Sequence, residues 1–600
     1  MCGFLISLNV PINQRIFKNA LEKINHRGPD EQNTYYDKKL NLYLGHNRLS
    51  IIDLLNGKQP FWSPDNKKVI LYNGEIYNFK IIKKQLSDKG HKFYSQSDTE
   101  VILKFYEEYG TDSFEFFNGM FAFVIIDFEK KLIICSRDYY GKKPLYYFQK
   151  NNEIIISSEI EPITYLKKNE LTLSQDNFKY FAFNGYYSKE KTYFDEVFKF
   201  QKNSVYEINF LKDLKFKLKF IYNPEINQKK SIRETLIDSV GIRMNADKNI
   251  GSFLSGGIDS TLVTLIAKKI NPDINTYSII YEDTKYDESK QINEIVSLYN
   301  LKNNSLILNQ ECLKSNINDI FDISEPICDS SIIPTYILSK FAKEKSDVIL
   351  SGDGADELFF GYNVYNALAM SYFLDNFGFN FVLKKISKMN NFNEGNSYFN
   401  KLFIIKKFLN GYMNNNELRL SSYLSQLYHY QFNKLFKTDP DLTENKNYEF
   451  SSFDKYMNFF KEDFINNYLL NNILTKCDLA SMKASIELRS PFLDINFRNI
   501  DIKPSKYRFN IKKKIFAENF SDYLDIKFFF KKKHGFAIPN NLIFDKENID
   551  YFYSIKDRFD IDHNYLKSLF ELNRLGKINL KNFFWGYIHL NKIIDKYSKI

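Results

Sequence analysis

From about residue 230 the chain alternates buried-strand and helix patterns, an order that commits it to a parallel sheet. SIRETLIDSVGIRM (231–244) reads as a helix, NIGSFLS (249–255) as a buried strand, STLVTLIAKKI (260–270) as a helix and INTYSIIY (274–281) as a second strand. The pattern returns with the helix IPTYILSKFAKEK (333–345) and the strand SDVILSG (346–352). Ligands of such a sheet gather at the carboxyl ends of its strands.

The first 200 residues follow a different rule. Short β-rich runs, LNLYLGH (40–46), KVILYNGEIY (68–77), MFAFVIIDF (120–128), KLIICSRD (131–138) and NEIIISSE (152–159), are separated by Gly, Asn and Asp turns. Helical patterning is confined mainly to 12–25 and 77–109, so this part is α+β and sheet-dominated. The polar stretch 201–230 closes it, and the boundary is set near 215, give or take about ten residues. Residues 362–475 are helix-rich and aromatic, with no internal repeat.

A length of 600 residues exceeds what one core serves, so two or more domains are expected. No apolar run is long enough to span a bilayer, and the N-terminus lacks the basic start of a secretory signal, which places the protein in the cytoplasm and off the membrane. The net charge of +10 is not gathered into a stripe and speaks against nucleic-acid binding. Five cysteines (Cys2, Cys135, Cys312, Cys328, Cys477) show no C-x-x-C spacing, so only Cys2 calls for a chemical explanation.

Removal of Met1 would leave a thiol and a free α-amine on Cys2. That amine titrates near pH 8 and can take the thiol proton while the thiolate attacks an amide carbonyl. Four polar segments follow: His26–Asp30 (HRGPD), Gly45–Asp53 (GHNRLSIID), Asn73–Asn78 (NGEIYN) and Ser97–Glu100 (SDTE). With Cys2 they resemble the class II glutamine amidotransferases, a branch of the N-terminal-nucleophile hydrolases. The resemblance implies Cys2 as nucleophile, Asn73 and Gly74 as oxyanion donors, and Arg48, Leu49, Ile51, Asn73, Gly74, Glu75 and Asp98 as the glutamine site. Arg48 would take the carboxylate and Asp98 the ammonium of glutamine. His26 and His46 are read as structural.

In the second part, Ser255-Gly256-Gly257-Ile258-Asp259-Ser260 lies between a strand and a helix, where backbone N–H groups can cradle phosphate. It lacks the Walker order and resembles the loop of N-type ATP pyrophosphatases. A second loop, Ser351-Gly352-Asp353-Gly354-Ala355-Asp356-Glu357, brings carboxylates to a neighbouring strand end, ligands of the type that magnesium on ATP phosphates takes.

These halves in this order resemble glutamine-hydrolysing asparagine synthetase over essentially the whole chain. Further matching segments are Arg137-Asp138, Gly141, Pro144–Tyr147, Tyr286–Ser289, Asp329–Ser331, Arg489–Asp494 and Gly535-Phe536. The resemblance implies a four-layer α/β/β/α Ntn-hydrolase domain (2–215), then an α/β parallel-sheet adenine-nucleotide hydrolase-like domain with added helices (216–600). It assigns Leu254, Ser255, Gly256, Gly257, Asp259, Ser260, Ile279, Ser351 and Gly352 to ATP, Asp259 and Asp356 to Mg2+, Asp353 to the reacting centre and Lys513 to the departing pyrophosphate, the contiguous run Lys512 to Lys514 leaving that last register open by one. The partners would be glutamine, ATP and aspartate, and a homodimer is one state it allows. Three positions depart from the pattern: Asn47 for a second basic residue, Phe360 for Gly and Leu479 for Arg. The last two lie near the acceptor site and leave open amidation of another carboxylate, such as a polysaccharide uronic acid. A non-catalytic glutamine or nucleotide sensor is the alternative of another class, and Cys2, both loops and the metal carboxylates speak against it.

Overall fold

The computed structural model describes residues 1–211, 213–221, 230–282, 287–376, 401–440, 448–531 and 544–598. In the first unit the strands are β1 (Cys2–Leu8), β2 (Glu31–Asp37), β3 (Leu42–Arg48), β4 (Phe61–Trp62), β5 (Lys68–Ile76) and β6 (Gly119–Asp127). They continue as β7 (Leu132–Arg137), β8 (Tyr146–Lys150), β9 (Glu153–Ser157), β10 (Val197–Lys199), β11 (Ser204–Asn209) and β12 (Asp213–Phe220). Two six-stranded sheets result, ordered β10-β8-β9-β1-β3-β2 and β12-β11-β7-β6-β5-β4, with antiparallel pairing throughout.

Side-chain alternation makes four layers of these sheets. Phe4, Ile6 and Leu8 of β1 meet Val69 and Leu71 of β5 between the sheets, while Leu5 points the other way to Phe17, Leu21 and Ile163 on the helices Gln14–Glu22 and Ile160–Lys167. Ile70 and Tyr72 of β5 likewise face the helices Phe79–Asp88 and Asp98–Tyr109. Each such fully buried apolar side chain contributes about 1.5–3 kcal/mol before conformational entropy is subtracted. The expected α/β/β/α sandwich is therefore present. The polar stretch after residue 200 forms β11 and β12, so the boundary near 215 falls inside a strand that runs to Phe220.

The second unit is built on β13 (Ile250–Phe253), β14 (Asn275–Tyr281), β15 (Lys302–Leu308), β16 (Val348–Leu350) and β17 (Glu487–Arg489), a parallel sheet in the order β15-β14-β13-β16-β17. The order reverses between β13 and β16, and a crevice opens at the carboxyl ends of strands at such a point. The loops at 255–260 and 351–357 leave β13 and β16 respectively, on either side of it. The helices Ile258–Ile270, Ser289–Leu298, Ile332–Lys343 and Thr475–Lys483 pack on the sheet, and Asn363–Asn376, Lys401–Tyr412, Asn416–Leu424, His429–Phe436 and Phe453–Phe464 are further helices of this unit. Among the described residues no helix is long and apolar enough to cross a membrane.

Candidate active sites

Cys2 begins β1, buried, and is paired in register with Arg48 of β3. Its backbone N–H donates to Asn73 Oδ1 at 3.0 Å. The Asn73 amide nitrogen is buried with no hydrogen-bond partner among the described residues, so a donor is left for an oxygen arriving beside Cys2. Gly74 has φ +153°, and a Cβ there would collide with the Met120 carbonyl, so only glycine brings this backbone so close. Burial pushes the Cys2 thiol up, against the Met1 ammonium, the Leu49 N–H and Arg48, which favour the thiolate.

The remaining predicted glutamine residues surround this point. Arg48 donates to the carbonyls of Asp53 (2.7 Å), Leu54 (3.2 Å) and Ile52 (3.3 Å) and so shapes the 50–57 loop. Leu49 and Ile51 pack on Met1, Tyr77 and Met120. Asp98 accepts from Tyr72 Oη at 2.7 Å and from the Ile76 N–H at 2.9 Å. Burial raises its carboxyl against those two bonds. Glu75 is raised well above the usual range by burial and by Asp98. His46 is pushed down to about 3 by burial, and its Nε2–H donates to the Tyr72 carbonyl at 3.1 Å, as befits a packing residue.

In the second unit, Ser255 and Ser260 Oγ atoms lie 3.0 Å apart across the first loop, and Gly256 takes φ +73° before the helix Ile258–Ile270 begins. A Cβ on Gly352 would lie 2.9 Å from the Ser260 nitrogen, so the two loops touch only because position 352 is glycine. Asp259 and Asp356 converge on one cation, the Lys512 ammonium, at 2.8 Å for Asp259 and in contact for Asp356. Burial works against that ammonium, and the two carboxylates overcome it and raise it. Leu254, directly after β13, and Ile279 of β14 are buried. Ser351 Oγ donates to Asp353 Oδ2 at 2.7 Å.

Lys513, assigned to the pyrophosphate, donates to the Lys531 carbonyl at 2.9 Å. Its neighbour Lys512 is the one that meets the two carboxylates, because successive residues of the helix Ile511–Phe520 point about 100° apart. Tyr286, Gly535 and Phe536, which carried part of the resemblance, lie outside the described residues. Phe360, where Gly is usual, holds φ +59°, a left-handed backbone that bulky residues rarely adopt.

Sequence reasoning missed the residues that join the two sites. Arg27 donates to the Cys2 carbonyl at 3.2 Å and pairs with Glu159 (2.8 Å) and with Asp478 (2.9 Å) of the second unit. Lys143 pairs with the same Asp478 at 3.1 Å. From β17, Glu487 holds the Met1 ammonium at 3.1 Å, and Arg489 joins Glu487 (2.7 Å) to Glu75 (3.5 Å). The signal available was the Arg489–Asp494 segment, to which no role had been given.

Fold and site together define a glutamine amidotransferase of the N-terminal-nucleophile type joined to a parallel-sheet unit. Comparison with known proteins agrees: residues 1–243 match the glutamine amidotransferase domain model and 231–564 the asparagine synthase model. The chain is 31% identical over 511 residues, 82% of its length and 79% of the relative's, to asparagine synthetase [glutamine-hydrolyzing] 1 of Bacillus subtilis. It is 34% identical to a putative asparagine synthetase [glutamine-hydrolyzing] 2 of Methanocaldococcus jannaschii, over 60% of this chain and 76% of that one. An "Amidase chry2" of Gibberella zeae is 28% identical over 59% and 56% respectively. The chain belongs to the asparagine synthase family and is a glutamine-hydrolysing ligase.

Proposed function

We propose that the protein converts aspartate to asparagine, with glutamine as nitrogen donor and ATP as activator. With Met1 removed, the Cys2 α-amine takes the thiol proton and the thiolate attacks the glutamine amide. The carbonyl oxygen then carries the negative charge, which the Asn73 amide and the Gly74 N–H offset, and ammonia leaves a glutamyl thioester that water hydrolyses to glutamate. Arg48 and Asp98 are the proposed partners of the glutamine carboxylate and ammonium.

At the second site the aspartate side-chain carboxylate attacks the ATP α-phosphate, displacing pyrophosphate and forming β-aspartyl-AMP. Ammonia adds to that carbonyl and AMP leaves, while Asp353 handles the proton released. Leu254, Ser255–Ser260, Ile279, Ser351 and Gly352 would hold the nucleotide, and Lys512 would face the pyrophosphate. Asp259 and Asp356 supply the oxygen donors Mg2+ prefers and already converge on one cation. Bound there, Mg2+ would offset phosphate charge. Passing ammonia inside the protein keeps it from being protonated in bulk water.

The observation that carries this reading is the buried contact between the two centres, Cys2 to Arg27 to Asp478, with Asp478 one residue from Cys477, whose Sγ lies 3.6 Å from Asp353. The test is product analysis with ATP, Mg2+, glutamine and aspartate: asparagine, glutamate, AMP and pyrophosphate are expected in equal amounts. Glutamate and no asparagine would overturn aspartate as acceptor and turn the search to other carboxylic acids.

A further inference from the structure

A lysine of the first unit stands in the second unit's centre. Lys142 follows β7 in the turn that contains Gly141, yet it is buried and its ammonium donates to Ser490 Oγ at 2.7 Å. Ser490 Oγ lies 3.1 Å from Ser351 Oγ, which donates to Asp353 Oδ2 at 2.7 Å. A continuous line of hydrogen-bonding groups therefore runs from one unit to the carboxylate assigned to the reacting centre of the other.

The surroundings of Lys142 are unusual for a structural lysine. Its neighbour Lys143 is matched by Asp478, whereas Lys142 has no ion-pair partner among the described residues and rests on a neutral hydroxyl. Burying an ammonium without a counter-ion is costly, and packing alone would be served better by an apolar side chain. Burial pushes this ammonium down to about 7, Lys143 pushing the same way and Asp353 opposing. Lys142 also lines a cavity of about 20 Å³ between the units, with Arg137, Asn471, Thr475, Asp478 and Leu479.

We propose that Lys142 is a positioning residue of the synthetase centre, supplied by the glutaminase unit: through Ser490 and Ser351 it orients the Asp353 carboxylate for the amidation step. The proposal rests on the reading of Asp353 given above. Deleting one charged hydrogen bond in a buried chain predicts a loss on the order of tenfold to a hundredfold.

The test uses the full chain and the variants Lys142→Met and Lys142→Arg. Lys142→Met should lower kcat for ammonia-dependent synthesis by that factor, leave the KM for ATP and glutamine hydrolysis at Cys2 unchanged, and Lys142→Arg should recover part of the loss. A crystal structure of Lys142→Met should show the Ser490, Ser351 and Asp353 side chains rearranged. Unchanged kcat in Lys142→Met, or an unmoved Asp353, overturns the proposal. Failure of the parent enzyme to use aspartate would refute the acceptor reading instead, and the structural comparison, which needs no acceptor, would still decide on Lys142.

Discussion

At the scale of single residues, the strongest constraints fall where one atom too many would close a site. Gly74 is such a place, and Gly74→Ala should abolish glutamine hydrolysis while ammonia-dependent synthesis continues, which parallel assays with the two nitrogen sources would measure. Asn73→Ala should reduce glutamine hydrolysis on the order of a hundredfold to a thousandfold, since it removes an oxyanion donor. Asn-Gly after an apolar run is by itself the commonest hairpin turn, and these residues stand out only through the family resemblance they carry jointly with Cys2, Arg48 and Asp98. Lys512 was harder to pick out. Three consecutive lysines carry no phase, and only the placing of the helix Ile511–Phe520 beside the loops that follow β13 and β16 decides which one meets Asp259 and Asp356.

At the scale of elements, the helix Thr475–Lys483 ties the centres together. Lys476 reaches Asp329 at 2.9 Å, Cys477 approaches Asp353, and Asp478 holds both Arg27 and Lys143. Asp478→Asn would leave two buried cations short of a partner, and a loss of about 3–5 kcal/mol is expected for breaking such a pair. Denaturant unfolding would measure it, and an unchanged midpoint would show the pair to be dispensable. The strands β3, β5, β6, β7 and β9 were readable because both of their faces are buried, which writes long apolar runs between turn residues. The strands β12 and β17 were not. β12 reads KFKLKF along most of its length and passes for a linker, and β17 is three residues, two of them charged, whose burial depends on partners in the other unit.

At the scale of the whole molecule, the two units share a buried, charged interface, and its pH response follows from the carboxylates in it. Asp478 and Glu487 are each opposed by burial, yet pairing with Arg27 and Lys143 for the first, and with Arg489 and, while Met1 is retained, its ammonium for the second, holds both below the usual carboxylate range. A carboxyl depressed on folding contributes stability that is present above its unfolded pKa and is lost as pH falls through its folded value. Stability should therefore hold near neutrality and decline as pH drops below about 4, read as a falling unfolding temperature. A flat profile across that range would place the stabilising charges elsewhere. This interface could not be read from the sequence, because its partners lie hundreds of positions apart and each looks like an ordinary surface charge. What could be read was the position of the segments on either side of it, Cys2 at the start of β1 and the two loops at the strand ends.

The central claim is that nitrogen released at Cys2 reaches the second site without entering the solvent. The most direct test supplies amide-15N-glutamine in the presence of a large excess of unlabelled ammonium, and follows the isotope in the amide product by mass spectrometry. The account predicts a product that keeps the glutamine label well above the isotope fraction of the free ammonium pool, whereas a product whose label matches that pool would contradict it.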